Sequence, residues 1–78
     1  GGEAVGYHFM KYGDVLMKAG MPDKAVIQYE KACESKKSDP IPLYLKGVAM
    51  EAIGQKEEGR KLKKIASGGR KFGTYIDF

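Results

Sequence analysis

The stretch from Phe9 to Ala32, FMKYGDVLMKAGMPDKAVIQYEKA, decides the fold, because its pattern returns from Leu43 to Ala66 as LYLKGVAMEAIGQKEEGRKLKKIA. The positions that keep a glycine, a small residue or a bulky apolar residue are 34 residues apart in every case: Phe9/Leu43, Gly13/Gly47, Leu16/Met50, Gly20/Gly54, Ala25/Gly59 and Ala32/Ala66. A fixed period of about 20 to 50 residues is the signature of an array of stacked structural repeats. The sequence therefore predicts two copies of one supersecondary unit.

Apolar residues recur at steps of three and four, which is the period of an amphipathic helix. Gly20 and Gly54 supply the left-handed conformation that ends a helix, and Pro22 and Pro40 suit a first helical turn. Asp39 is placed to cap the third helix. The predicted helices run from about Ala4 to Ala19, from Pro22 to about Ser35, from Pro40 to Ile53 and from Lys56 to about Ala66.

Helices joined by two or three residues fold back as antiparallel hairpins. We therefore predict an all-α fold of two stacked antiparallel helical hairpins, in which Gly13 and Ala25 allow close approach within the first hairpin. The apolar stripes expected to face inward are Tyr7, Phe9, Met10, Tyr12, Val15, Leu16 and Ala19; Ala25, Val26, Tyr29, Ala32 and Cys33; Leu43, Tyr44, Val48, Met50, Ala52 and Ile53; and Leu62, Ile65 and Ala66.

Length and composition predict one domain over residues 1–78, and a chain of this size has little stability to spare. Cys33 is the only cysteine, so no intramolecular disulfide is available, and we expect a buried structural thiol in a cytoplasmic setting. The chain has no run of about 18 apolar residues and no signal-like leader, which predicts no membrane span.

The sequence shows no arrangement of residues typical of a catalytic site. His8 is the only histidine, no Cys/His spacing suits a metal, and no glycine-rich loop is placed to hold a phosphate. We therefore expect neither an enzyme nor a cofactor or metal site.

The pattern Phe9-x2-Tyr12-Gly13-x2-Leu16, followed by Ala25-x3-Tyr29 and Ala32, resembles the tetratricopeptide repeat. The second copy keeps the pattern less fully. It departs from the family at Lys46, Lys63 and Gly59, and the proline that closes a family repeat is replaced by Lys37 in the first copy and by Lys71 in the second. On this resemblance residues 6–39 form the first repeat, 40–71 the second, and 70–78 a C-terminal tail.

The resemblance implies a non-catalytic module that binds a peptide or helix of a partner protein in a groove lined by the first helix of each repeat. The implied groove positions are Tyr7, Met10, Asp14, Met17 and Lys18, then Ile41, Tyr44, Val48, Glu51 and Ala52. Family members that clamp a C-terminal carboxylate use lysine and asparagine, whereas the matching residues here are Met10, Asp14 and Leu45. We therefore expect an apolar ligand segment, with a basic residue near Asp14 or Glu51.

Two alternatives stay open at these positions. Met10, Met17 and Tyr44 are also what an ordinary interhelical core contains. The tail, with Phe72, Tyr75, Ile76 and Phe78, is explained equally as a cap on the last hairpin, as a segment that inserts into a groove of this or another molecule, or as the start of another repeat. Two repeats without a cap would favour self-association.

The distribution of charge indicates an alternative function, which is the binding of RNA. The formal net charge is +4, and the second half of the chain carries the excess. A basic patch of this kind attracts nucleic acid, with Phe72 and Tyr75 nearby for base stacking. The residues of this alternative RNA-binding patch are Arg60, Lys61, Lys63, Lys64, Arg70 and Lys71.

Overall fold

The computed structural model describes residues 2–35 and 39–68, and side chains from residue 6 onward. Its four helices are α1 (Gly2–Lys18), α2 (Pro22–Ser35), α3 (Ile41–Ala52) and α4 (Lys56–Ser67), and the described ranges contain no strand. Helix α1 packs on α2, α3 on α4, and the two hairpins meet through α2 and α3. The predicted all-α fold of stacked helical hairpins is confirmed.

The same backbone motif ends the first helix of each hairpin. Gly20 has φ of +76° and Gly54 has φ of +97°, the left-handed region that a glycine enters without steric cost. Beyond α1, the Met21 N–H donates to the Leu16 carbonyl at 2.8 Å. Beyond α3, the Gln55 N–H donates to the Met50 carbonyl at 2.9 Å. These bonds satisfy carbonyls at the helix end and turn the chain back sharply.

The first residues of α1 and α3 differ slightly from the prediction. Helix α1 begins at Gly2, earlier than the expected Ala4. Helix α3 is assigned from Ile41, although Pro40 already has helical angles of φ −76° and ψ −14°. Asp39 Oδ1 accepts the Ile41 N–H at 2.9 Å, so Asp39 caps this helix as predicted.

The core is formed at the junction of the two hairpins. Its buried cluster contains Leu16, Ala25, Tyr29, Leu45 and Ala49, with Met10, Met17, Met21, Val26 and Ile41 packed against it. The largest fully buried side chains are Tyr29, Leu45 and Pro42. Three buried residues of α3, Pro42, Leu45 and Ala49, lie outside the apolar stripe predicted for that helix. They were missed because α3 is covered by α2 as well as by α4.

Several residues predicted to face inward are instead exposed. Ile65 is 63% exposed and Val15 is 60% exposed, and Tyr7, Tyr12, Ala19, Ala52 and Ile53 are exposed as well. Cys33 is half-buried rather than buried. The reason is geometric: each apolar stripe is wider than the strip of helix surface that neighbouring helices cover.

Small residues bring the helices of each hairpin together, but in different ways. A Cβ atom placed on Gly13 would lie 2.6 Å from Cε1 of Tyr29, so the tyrosine ring lies flush against α1. A Cβ atom on Gly47 would lie 2.6 Å from the carbonyl oxygen of Gly59, so α3 and α4 meet backbone to backbone. Either distance is too short for a side chain without displacement of its neighbour.

Three predictions concern residues that the structure does not describe. The role of the tail at 70–78, the contribution of Arg70 and Lys71 to a basic patch, and the repeat end at Lys37 all lie outside the described residues. Within the described residues, none of the helices is both long enough and apolar enough to cross a membrane.

Candidate functional site

The groove positions implied by the repeat form two matching helix faces. On α1 they are Tyr7, Met10, Asp14 and Met17, which we call the α1 face. On α3 they are Ile41, Tyr44, Val48 and Glu51, which we call the α3 face. Both sets are spaced by three, four and three residues, so each occupies one side of its helix.

The two faces converge on the common core. Met10, Met17 and Ile41 all pack against the buried cluster between the hairpins, yet each remains half-buried. Tyr44 and Val48 are half-buried as well, while Tyr7 is 50% exposed. The methionines therefore belong to the core at one edge and to the accessible surface at the other. Lys18 and Ala52, at the far edges, are exposed.

Asp14 is held by the opposite helix of its own hairpin. The Tyr29 hydroxyl donates to Asp14 Oδ1 at 2.5 Å. Burial raises the pKa of Tyr29 far above its ordinary value, and the hydrogen bond to Asp14 and the negative charge of that carboxylate raise it further. A hydroxyl donating to a carboxylate makes a strong, charge-assisted bond, so Asp14 is fixed on the α1 face.

Glu51 is held in the same manner by a different residue. Lys63 of α4 donates to Glu51 Oε1 at 2.8 Å, and its Nζ lies 5.7 Å from the centre of the Tyr44 ring. Its aliphatic stem lies against Gly47, where a Cβ atom would be 2.8 Å from Cγ of Lys63. Lys63 thus joins α4 to two members of the α3 face.

Position 63 corresponds to position 29 in the repeat, so Lys63 takes the place of Tyr29. The carboxylate partner is not at the corresponding position. Asp14 corresponds to Val48, and Glu51 corresponds to Met17. Sequence reasoning noted Lys63 as a departure from the family but missed this ion pair, which the spacing of Glu51 and Gly47 on one side of α3 could have indicated.

The structure separates the members of the predicted basic patch. Lys63 is turned toward α3, whereas Arg60, Lys61 and Lys64 are exposed and line a shallow depression together with Glu57. We call these four residues the α4 ridge. Among residues 6–35 and 39–68, no carboxylate lies within ion-pair distance of Arg60, Lys61 or Lys64.

Cys33 lies at the junction of the hairpins, where Lys46 of α3 pairs with Glu30 of α2 at 3.5 Å. Burial raises the pKa of the Cys33 thiol, and the Lys46 charge opposes that shift only in part. A thiol with a raised pKa is a poor nucleophile at neutral pH. Elsewhere in the described ranges, no cluster of three or more His, Cys, Asp or Glu residues could hold a metal ion.

Comparisons of the chain with protein-family models, with curated proteins and with solved structures find no match.

Proposed function

We propose that this chain is a non-catalytic interaction module of the tetratricopeptide-repeat type, which binds a peptide or helix of a partner protein across the α1 and α3 faces. The observation that carries the proposal is the pair of equally spaced faces, displaced by one repeat of 34 residues and joined at the core by Met10, Met17 and Ile41. Both faces reach the same buried cluster, which supports a ligand that lies across the two helices.

The chemistry of the faces supports an apolar ligand. Methionine adapts its shape to varied partners, and a tyrosine on each face offers a large contact area at low entropic cost. Tyr7 and Tyr44 each have a lysine ammonium near the ring, Lys11 at 5.5 Å and Lys63 at 5.7 Å. Each tyrosine thus already makes a cation–π contact on the surface where the ligand is expected.

The two carboxylates refine the expected charge of the ligand. Asp14 already accepts from Tyr29, and Glu51 already accepts from Lys63. A carboxylate has about four acceptor directions, so Glu51 retains capacity for a further donor. The proposal therefore keeps a basic ligand residue near Glu51 as a secondary contact, with apolar burial as the main source of affinity.

Tyr7 and Tyr12 provide a matched test, because both are on α1 and both are about half exposed, at 50% and 53%. They are five residues apart, which places them on different sides of the helix. Peptides selected against the full chain from a displayed random library are titrated against Tyr7→Ala and Tyr12→Ala. We expect Tyr7→Ala to weaken binding about tenfold or more, as loss of an aromatic anchor does, and Tyr12→Ala to leave it unchanged.

Amide chemical shifts provide the second measurement. A selected peptide should perturb the amides of Met10, Tyr44 and Val48, with smaller changes on α2 and α4. Equal loss of affinity in both tyrosine variants, or perturbations centred on α4, would contradict the proposal. Binding that falls steeply with salt and ignores Tyr7→Ala would instead favour the nucleic-acid alternative.

A further inference from the structure

Helix α2 shows how this fold docks a following helix. Glu30 of α2 pairs with Lys46 of α3 at 3.5 Å, and Val26, one turn earlier, packs against the core. Cys33, one turn later, is half-buried at the same junction. One side of α2 therefore combines an acidic residue with an apolar strip, and it receives a helix that presents a lysine.

The residues of α4 that correspond to this docking side, 34 positions later, carry the opposite charge. Displacement by 34 residues carries Glu30 to Lys64 and Val26 to Arg60. Ile27, which is 51% exposed and lies beside the docking side, becomes Lys61. At Arg60 and Lys64 the corresponding side of α4 is thus basic where α2 is apolar and acidic, while Ser67, the counterpart of Cys33, is buried.

The surface of the α4 ridge fits a protein helix. Its three cations have aliphatic stems that form an almost wholly apolar floor in the shallow depression. Glu57 lies in the same depression, so the ridge carries one negative charge among three positive ones. A helix can present acidic residues to the cations and a basic one to Glu57, whereas a nucleic acid presents only negative charge to all four.

We propose that the α4 ridge docks an acidic amphipathic helix of a partner, in the position that α3 occupies on α2. The partner helix carries a carboxylate where α3 carries Lys46, and that carboxylate pairs with Lys64. This site is separate from the α1 and α3 faces and does not depend on the function proposed for them.

The chain itself supplies the probe. A synthetic peptide of residues 39–54 with Lys46→Glu places a carboxylate at the position in question, and the parent peptide with Lys46 is its matched control. Titrated against the full chain by fluorescence anisotropy, the Lys46→Glu peptide should bind on the order of 3 to 10 times more tightly than the parent, since an attractive pair replaces a repulsive one.

The variant Lys64→Glu should reverse that preference in favour of the parent peptide. Lys24→Glu, the same charge change at an exposed site on α2, should leave it unaltered. Equal affinity for the two peptides, or a preference that survives Lys64→Glu, would overturn the proposal. Because Lys64 is exposed, this variant is expected to retain the helical fold.

A single-stranded RNA of mixed sequence tests the competing class of partner. If the RNA binds the full chain more tightly than the Lys46→Glu peptide and loses that affinity in Lys64→Glu, the ridge is a nucleic-acid surface and the proposal fails. Tyr7→Ala should not change the peptide preference, so failure of the groove proposal and failure of the ridge proposal give different results.

Discussion

Tyr29 and Lys63 occupy the same position of the repeat and perform the same structural task with different chemistry. Each lies against a glycine of the partner helix, Gly13 or Gly47, and each ends on a carboxylate of that helix. The tyrosine is fully buried, whereas the lysine side chain is 30% exposed. The first hairpin is therefore closed by a ring, and the second by an ion pair.

The hydroxyl of Tyr29 is expected to stabilise the fold. Tyr29→Phe keeps the ring against Gly13 but removes the bond to Asp14, and we expect a loss of about 1 to 2 kcal/mol in the free energy of unfolding. Tyr12→Phe removes a hydroxyl from an exposed ring and is the control. Urea denaturation at pH 8 measures both, and an equal effect of the two changes would contradict the role given to this bond.

The raised pKa of Tyr29 also predicts an alkaline limit of stability. In the unfolded chain the phenol loses its proton near pH 10, whereas in the folded chain it keeps the proton to higher pH. Above pH 10 this group therefore lowers the free energy of unfolding by about 1.4 kcal/mol per pH unit. Tyr29→Phe should lose this contribution, so its stability should fall less than that of the parent between pH 9.5 and 11.

At the scale of the element, α3 shows what the pattern of a sequence indicates and what it leaves out. The caps at Asp39 and Gly54 are local, and sequence predicted both. The burial of Leu45 and Ala49 comes from α2, a different element, and a single apolar stripe did not reveal it. The segment from Ile41 to Met50 contains one charged residue, Lys46, and such an apolar helix is typical of burial on two sides.

The contact between Gly47 and Gly59 gives a prediction at the same scale. Alanine normally favours a helix over glycine by about 1 kcal/mol. Gly47→Ala should nevertheless destabilise the protein by about 1 to 3 kcal/mol, because its Cβ atom would meet backbone rather than a movable side chain. Ala52→Leu, at an exposed position of α3, is the control for stability. Thermal melts of both variants provide the measurement.

At the scale of the whole molecule, the two hairpins share the core cluster of the described residues. Leu16, Ala25 and Tyr29 come from the first hairpin, and Leu45 and Ala49 from the second. The repeat in the sequence predicted the stacking. It did not predict which side chains of the candidate site are hydrogen-bonded to the second helix of their hairpin, because Tyr29 and Lys63 lie 15 and 12 residues away from Asp14 and Glu51.

A shared core predicts cooperative unfolding. Leu45→Ala truncates a side chain that is 2% exposed, so we expect the free energy of unfolding to fall by about 2 to 5 kcal/mol. Both hairpins should still unfold in one transition, shifted by the same amount for each. Ile65→Ala, at a position 63% exposed, should change stability by less than about 0.5 kcal/mol. Tryptophan probes introduced separately at Tyr12 and Ile53 would report each hairpin, and two separate transitions would contradict a common core.

The ion pair between Lys63 and Glu51 makes the local opening of α4 depend on salt. Helix α2 lies between α1 and α3 and is fastened by a buried ring, whereas α4 packs mainly on α3 and is fastened by partly exposed charges. Amide hydrogens of α4 should therefore exchange with deuterium before those of α2. Since about 1 M salt shortens the screening length to about 3 Å, it should speed exchange in α4 and leave α2 nearly unaffected. The packing of α4 on α3 is thus tunable by ionic strength, whereas the packing of α2 on α1 is not.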